Sequence, residues 1–170
     1  MRRALLPALL LCIVSASDPV AAKATFDTLP KRVQDQLWDL ASVCNRAGGR
    51  PGDAMQAIEA VDLDGDGTPD LILDEARFPC RGVQPTALCS EVGCSTYLTL
   101  SNGGRWRPAL DFVGGYCLDR SATPPRFLTI QQNFSTGGLY TLNVLYRFRH
   151  GLAFQEGRGK CPPTRPAPSL

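Results

Sequence analysis

The chain has 170 residues, with 18 lysines and arginines against 16 aspartates and glutamates, one histidine and seven cysteines. This length suits one domain, and the near-neutral balance argues against a nucleic-acid partner. A histidine-based nucleophilic triad has only His150 to centre on, in a predicted turn.

The first segment has the three-part pattern of a secretory signal. Met1-Arg2-Arg3 is basic, Ala4 to Ala16 is apolar, and a small-residue end follows with Val20 and Ala22 at the −3 and −1 positions. The apolar run is too short to span a bilayer, so residues 1–22 are expected to be a cleaved signal peptide. Residues 23–161 then form a single domain, and 162–170 a proline-rich, disordered tail. The expected destination is the periplasm or the extracellular space, with no membrane span after cleavage.

Within the domain, helical spacing of Val33, Leu37, Leu40, Ala41 and Cys44 predicts one amphipathic helix over Leu29–Ala47. Thr28 can cap it, Pro30 suits its first turn, and Gly48-Gly49 ends it. Strands are predicted over 54–61, 69–74, 95–100, 105–112, 126–131 and 139–149, with a return at 152–154. Asn102-Gly103-Gly104 marks a hairpin turn. In the last long strand, Tyr140, Leu142, Val144, Tyr146 and Phe148 share one face, opposite Thr141, Asn143, Arg147 and Arg149. Residues 78–94 read as a loop held by cysteines. The expected fold is α+β: one N-terminal helix packed on an antiparallel sheet of about six to eight strands.

Six cysteines remain after signal removal: Cys44, Cys80, Cys89, Cys94, Cys117 and Cys161. An even number in an exported chain reads as three disulfides, and no Cys-x-x-Cys unit favours zinc. Six cysteines permit about 15 pairings, among which sequence does not choose. Proximity favours Cys89 with Cys94, Cys44 with Cys80, and Cys117 with Cys161.

Charge is uneven along the chain. Residues 23–100 carry 7 basic and 12 acidic residues, whereas 101–170 carry 9 and 3. Much of the acidic excess sits in one stretch, Asp62-Leu-Asp-Gly-Asp-Gly-Thr-Pro-Asp70. Like charges this close repel, and a hard divalent cation removes the repulsion. Calcium takes six to eight oxygens in flexible geometry. Asp62, Asp64 and Asp66 occupy loop positions 1, 3 and 5, Gly67 permits the turn, Thr68 offers its carbonyl, and Asp70 stands at position 9. An EF-hand then requires a bidentate Glu at position 12, where this chain has Leu73, and its flanks are strands.

The string Val61-Asp-Leu-Asp-Gly-Asp-Gly-Thr-Pro-Asp-Leu-Ile72 resembles the calcium loop of FG-GAP and VCBS-like repeats, the blades of integrin α-subunits. The resemblance implies that Asp62, Asp64, Asp66, Asp70 and the Thr68 carbonyl hold Ca²⁺. It covers about 20 residues in a single copy, which excludes a propeller. More loosely, the chain resembles small exported bacterial proteins of uncharacterised function. Without the position-12 Glu, affinity is expected near 10⁻⁴–10⁻³ M, as in extracellular modules.

No nucleophile elbow, Walker loop or His-Glu-x-x-His motif is present, and no pair stands out among Asp74, Glu75, Glu91, Asp111, Asp119 and Glu156. Tyr97, Arg105, Trp106, Arg107 and Tyr116 surround the predicted hairpin and are candidate ligand contacts, with packing against the helix as the alternative. The sequence therefore reads as an exported, non-catalytic calcium-binding interaction protein, with a protein or an envelope glycan as partner. The alternatives are a small carboxylate-dependent hydrolase of envelope glycan and a periplasmic inhibitor or immunity-type protein.

Overall fold

The computed structural model describes residues 24–162, except 92 and 136–137. The expected signal peptide, and all but Pro162 of the expected tail, lie outside these residues.

The helix is α1, Lys31–Arg46. Thr28 does not cap it. Its hydroxyl closes a 3₁₀ turn at 26–28, accepting from the Thr25 N–H and donating to the Thr25 carbonyl. Pro30 instead stands at the N-cap, where its carbonyl receives the Val33 and Gln34 N–H groups and its missing N–H costs nothing. Val33, Leu37, Leu40 and Cys44 form the buried face.

Ten strands follow in the described residues: β1 Arg50–Pro51, β2 Ile58–Val61, β3 Asp70–Asp74, β4 Cys80–Arg81, β5 Ser95–Asn102, β6 Arg105–Val113, β7 Gly115–Asp119, β8 Arg126–Ser135, β9 Gly138–Arg149 and β10 Leu152–Arg158. They form three antiparallel sheets, not one sheet of six to eight strands. The orders are β2-β3-β5-β6, β10-β9-β8-β7, and the short pair β1-β4. Two further expectations are corrected. Residues 54–57 form a 3₁₀ turn capped by the Asp53 side chain, and β7, not foreseen from sequence, follows β6.

One residue divides the two large sheets. Gly114 has φ +135° between β6 and β7, and a Cβ there would lie 2.3 Å from the Ile130 carbonyl. Only glycine lets the chain leave the first sheet and start the second so abruptly.

The outcome is three layers, helix on sheet on sheet. Leu71 and Leu73 of β3 pack on α1, while Ile72 faces Phe127 and Phe148 of the second sheet. This is why β3 reads Leu-Ile-Leu without alternation: both its faces are buried. On β6, which forms an edge, Pro108 pairs with Thr99 beside a register shift, a place where a missing N–H is tolerated.

The three disulfides are Cys44–Cys80, Cys89–Cys94 and Cys117–Cys161, the pairing that proximity favoured. The first ties α1 to β4, and the third ties the end of the described chain to β7. Such bonds belong to an oxidising environment outside the cytosol. Among the described residues no helix is long and apolar enough to cross a membrane.

Candidate metal centre

The aspartate loop joins β2 to β3, antiparallel strands paired from Ile58↔Leu73 to Val61↔Asp70. It is a strand–loop–strand unit, as the flanking residues predict. Leu63 fixes it from within: its side chain is buried in the core between the sheets. Gly65 and Gly67, at φ +81° and +85°, supply the left-handed turns the loop requires.

Backbone N–H groups shape the carboxylates. Asp62 accepts from Gly65 (2.7 Å) and Gly67 (3.0 Å), Asp64 from Asp66 (3.1 Å), and Asp66 from Thr68 (2.7 Å). Asp70 is fully buried and accepts from the Leu63 N–H and the Ser101 N–H, each at 2.8 Å. It thereby fastens the loop to the end of β5. Each carboxylate oxygen retains a second lone pair.

Asp62, Asp64 and Asp70 bring one oxygen each to within 4.8 Å of one another. Oxygens bound to a common calcium at 2.3–2.6 Å are separated by up to about 5 Å, so the group fits a hard cation. Asp66 is not part of this group. Its exposed carboxylate is turned to the Thr68 N–H, and Thr68 is exposed on the outer limb of the loop.

Burial pushes the Asp70 carboxyl up to about 6; the Leu63 and Ser101 N–H groups oppose this, and the Asp64 and Asp66 charges add to it. Asp64 is raised chiefly by burial and then by Asp66 and Asp62, against the pull of its Asp66 hydrogen bond and of His150. These carboxylates are held by backbone amides, and among the described residues none of them forms an ion pair. Arg149, His150 and Asn102 line a cavity of about 250 Å³ beside Asp64 and Asp66, yet Arg149 forms no ion pair with either among the described residues.

The other candidate residues are dispersed. Tyr97 packs toward the helix and donates to Glu75 (3.1 Å). Tyr116 lies between the sheets, stacks on Phe127 at 5.4 Å and donates to Glu59 (2.7 Å). Arg105, Trp106 and Arg107 are exposed on β6. Neighbours along a hairpin alternate between faces, so closeness in sequence does not make one surface.

Five of the six remaining acids have structural partners. Asp74 caps the 3₁₀ turn at 75–77, Glu75 also accepts from the Ser95 N–H, and Asp111 pairs with Arg32. Asp119 accepts from Ser121, and Glu156 pairs with Arg147. Glu91 is exposed and lines a cavity with Asp74.

Sequence reasoning missed two assemblies. Glu59 collects Arg77 (3.0 Å), Arg120 and the Tyr116 hydroxyl, linking β2 to the second sheet. The arginines of β8 and β9 meet the aspartate loop at one end of the molecule. Neither leaves a local sequence signal, because each draws on segments about 20–90 residues apart. Comparison with protein families, with curated proteins and with solved structures finds no match for this chain.

Proposed function

We propose that the chain is an exported, periplasmic or secreted, calcium-binding protein that acts by binding a partner, not by catalysis. The observation that carries the reading is the convergence of Asp62, Asp64 and Asp70 oxygens on a loop stapled between two strands. Five acceptor positions at those carboxylates are already directed by backbone N–H groups, so little ordering is left for a cation to impose. The resemblance to FG-GAP loops favours calcium, as does the all-oxygen donor set.

The role proposed for the ion is structural. It neutralises the loop, and through Asp70 it strengthens the junction of the β2–β3 turn with β5. The partner is proposed to be a protein or an envelope glycan.

Thermal melting with calcium and with EDTA tests this reading. For the affinity expected above, 10 mM Ca²⁺ stabilises the fold by about 1.4–2.7 kcal/mol, a rise of roughly 3–10 °C. An unchanged melting temperature at that concentration sinks the metal assignment.

A further inference from the structure

The arginines of the second sheet surround a cavity of about 400 Å³, a volume within the range of small-ligand sites. Arg126, Arg147 and Arg149 line it, with Tyr146 and Pro124 providing apolar wall and Asp64 its border with the aspartate loop. Local structure explains how the charges come together. Arg147 and Arg149 are two apart on β9 and so share a face. Arg126 opens β8, one residue before Phe127, which pairs with Tyr146.

The three guanidiniums are not equally engaged. Arg147 pairs with Glu156, which sits where the β9–β10 register shifts between Gln155 and Gly157. Among the described residues, Arg126 and Arg149 have no ion pair. Asp119, on which the Arg126 charge acts, already accepts from the Ser121 N–H and hydroxyl. Arg126 and Arg149 therefore line a concave, partly apolar space without forming an ion pair among the described residues, and three guanidiniums outnumber the Asp64 and Glu156 carboxylates that share its lining. A guanidinium fork matches the two oxygens of a carboxylate or phosphate, and the aromatic and proline walls suit a ring beside them.

We propose that this cavity binds a small ligand through an oxyanion, a carboxylate or a phosphate, held by Arg126 and Arg149. The proposal goes beyond the calcium reading and does not need it.

The test is calorimetric titration of the whole domain in EDTA with two separate probes, galacturonate and inorganic phosphate. Saturable binding of one or both is expected, and which one binds identifies the oxyanion. Arg126→Gln and Arg149→Gln should each weaken it about tenfold or more, since a charge-assisted pair contributes about 1.5–3 kcal/mol. Arg50→Gln, an exposed arginine of β1 outside the cavity, should leave the affinity unchanged. Arg149→Lys keeps the charge without the fork and should lie between wild type and Arg149→Gln, which also covers the case of a Gln variant that folds poorly. No saturable binding of either probe overturns the proposal. So does an affinity that the Arg126 and Arg149 variants leave intact, or that Arg50→Gln lowers as much.

Discussion

Two groups of acids in this protein solve the same problem in opposite ways. Glu59 is met by Arg77, Arg120 and the Tyr116 hydroxyl, so its charge is balanced by the chain itself. Burial, then the neighbouring Glu59 carboxylate, holds the Tyr116 hydroxyl well above the ordinary phenol range, so it remains a donor. In the aspartate loop, three carboxylates converge, held by backbone N–H groups and without an ion pair among the described residues. The first arrangement is complete and joins two layers. The second carries surplus negative charge that an external cation can neutralise. The lesson is that an acid cluster should be judged by its counter-charges before its acids are counted.

The contrast can be broken most severely at Asp70. Asp70→Ala leaves the Leu63 and Ser101 N–H groups without their acceptor, and should cost about 4 kcal/mol by denaturant unfolding in EDTA. It should also abolish the calcium-induced rise in melting temperature. A variant that keeps that rise would remove Asp70 from the metal centre.

A proton can replace the cation at the same residue. The Asp70 carboxyl sits at about 6 in the folded protein, above its ordinary value of 3.8. The folded state therefore holds the proton more tightly. In EDTA, the stability this group contributes is full below pH 4 and is lost as pH rises through 6, a change on the order of 2 kcal/mol. Asp70→Asn cannot titrate, so the stability gap between wild type and this variant should shift by that amount between pH 4 and 7. Calcium should flatten or reverse the slope, because it binds the ionised form. A pH-independent gap in EDTA would contradict the buried-carboxyl account.

The sharpest comparison pairs two conservative changes. Glu59→Gln removes a balanced charge and should destabilise by about 1 kcal/mol, equally in calcium and in EDTA. Asp64→Asn keeps the acceptor for the Asp66 N–H but removes one repelling charge. In EDTA it should stabilise by about 0.5 kcal/mol, and in calcium it should lose most of the wild-type gain. The same sign for both variants in EDTA would erase the distinction between the two groups of acids.

Asp66→Asn should have the smallest effect. Its carboxylate serves the Thr68 N–H, outside the convergent group, and asparagine can accept the same bond. The calcium shift should survive with a loss of about 0.5 kcal/mol or less, reflecting only a weaker local field. A loss as large as that of Asp64→Asn would return Asp66 to the ligand set expected from spacing.

Local patterns in the sequence carried the parts of the protein that depend on near neighbours. The α1 face, the β5–β6 and β9–β10 hairpins, the strand–loop–strand frame of the aspartates and the proximity-favoured disulfides all follow from periodicity, turn glycines or closeness along the chain. Tertiary structure decided the rest. Gly114 splits the strands into two layers because a backbone carbonyl 16 residues later occupies the space a side chain would need. Spacing placed Asp66 and Asp70 together in the ligand set, whereas in the fold Asp70, held by the Leu63 and Ser101 N–H groups, joins Asp62 and Asp64 and Asp66 does not. Arg126 and Arg149 share a cavity only because β8 and β9 pair beside the loop. A residue's own neighbours set its backbone preference, whereas burial and charge balance depend on segments that meet only in the folded chain.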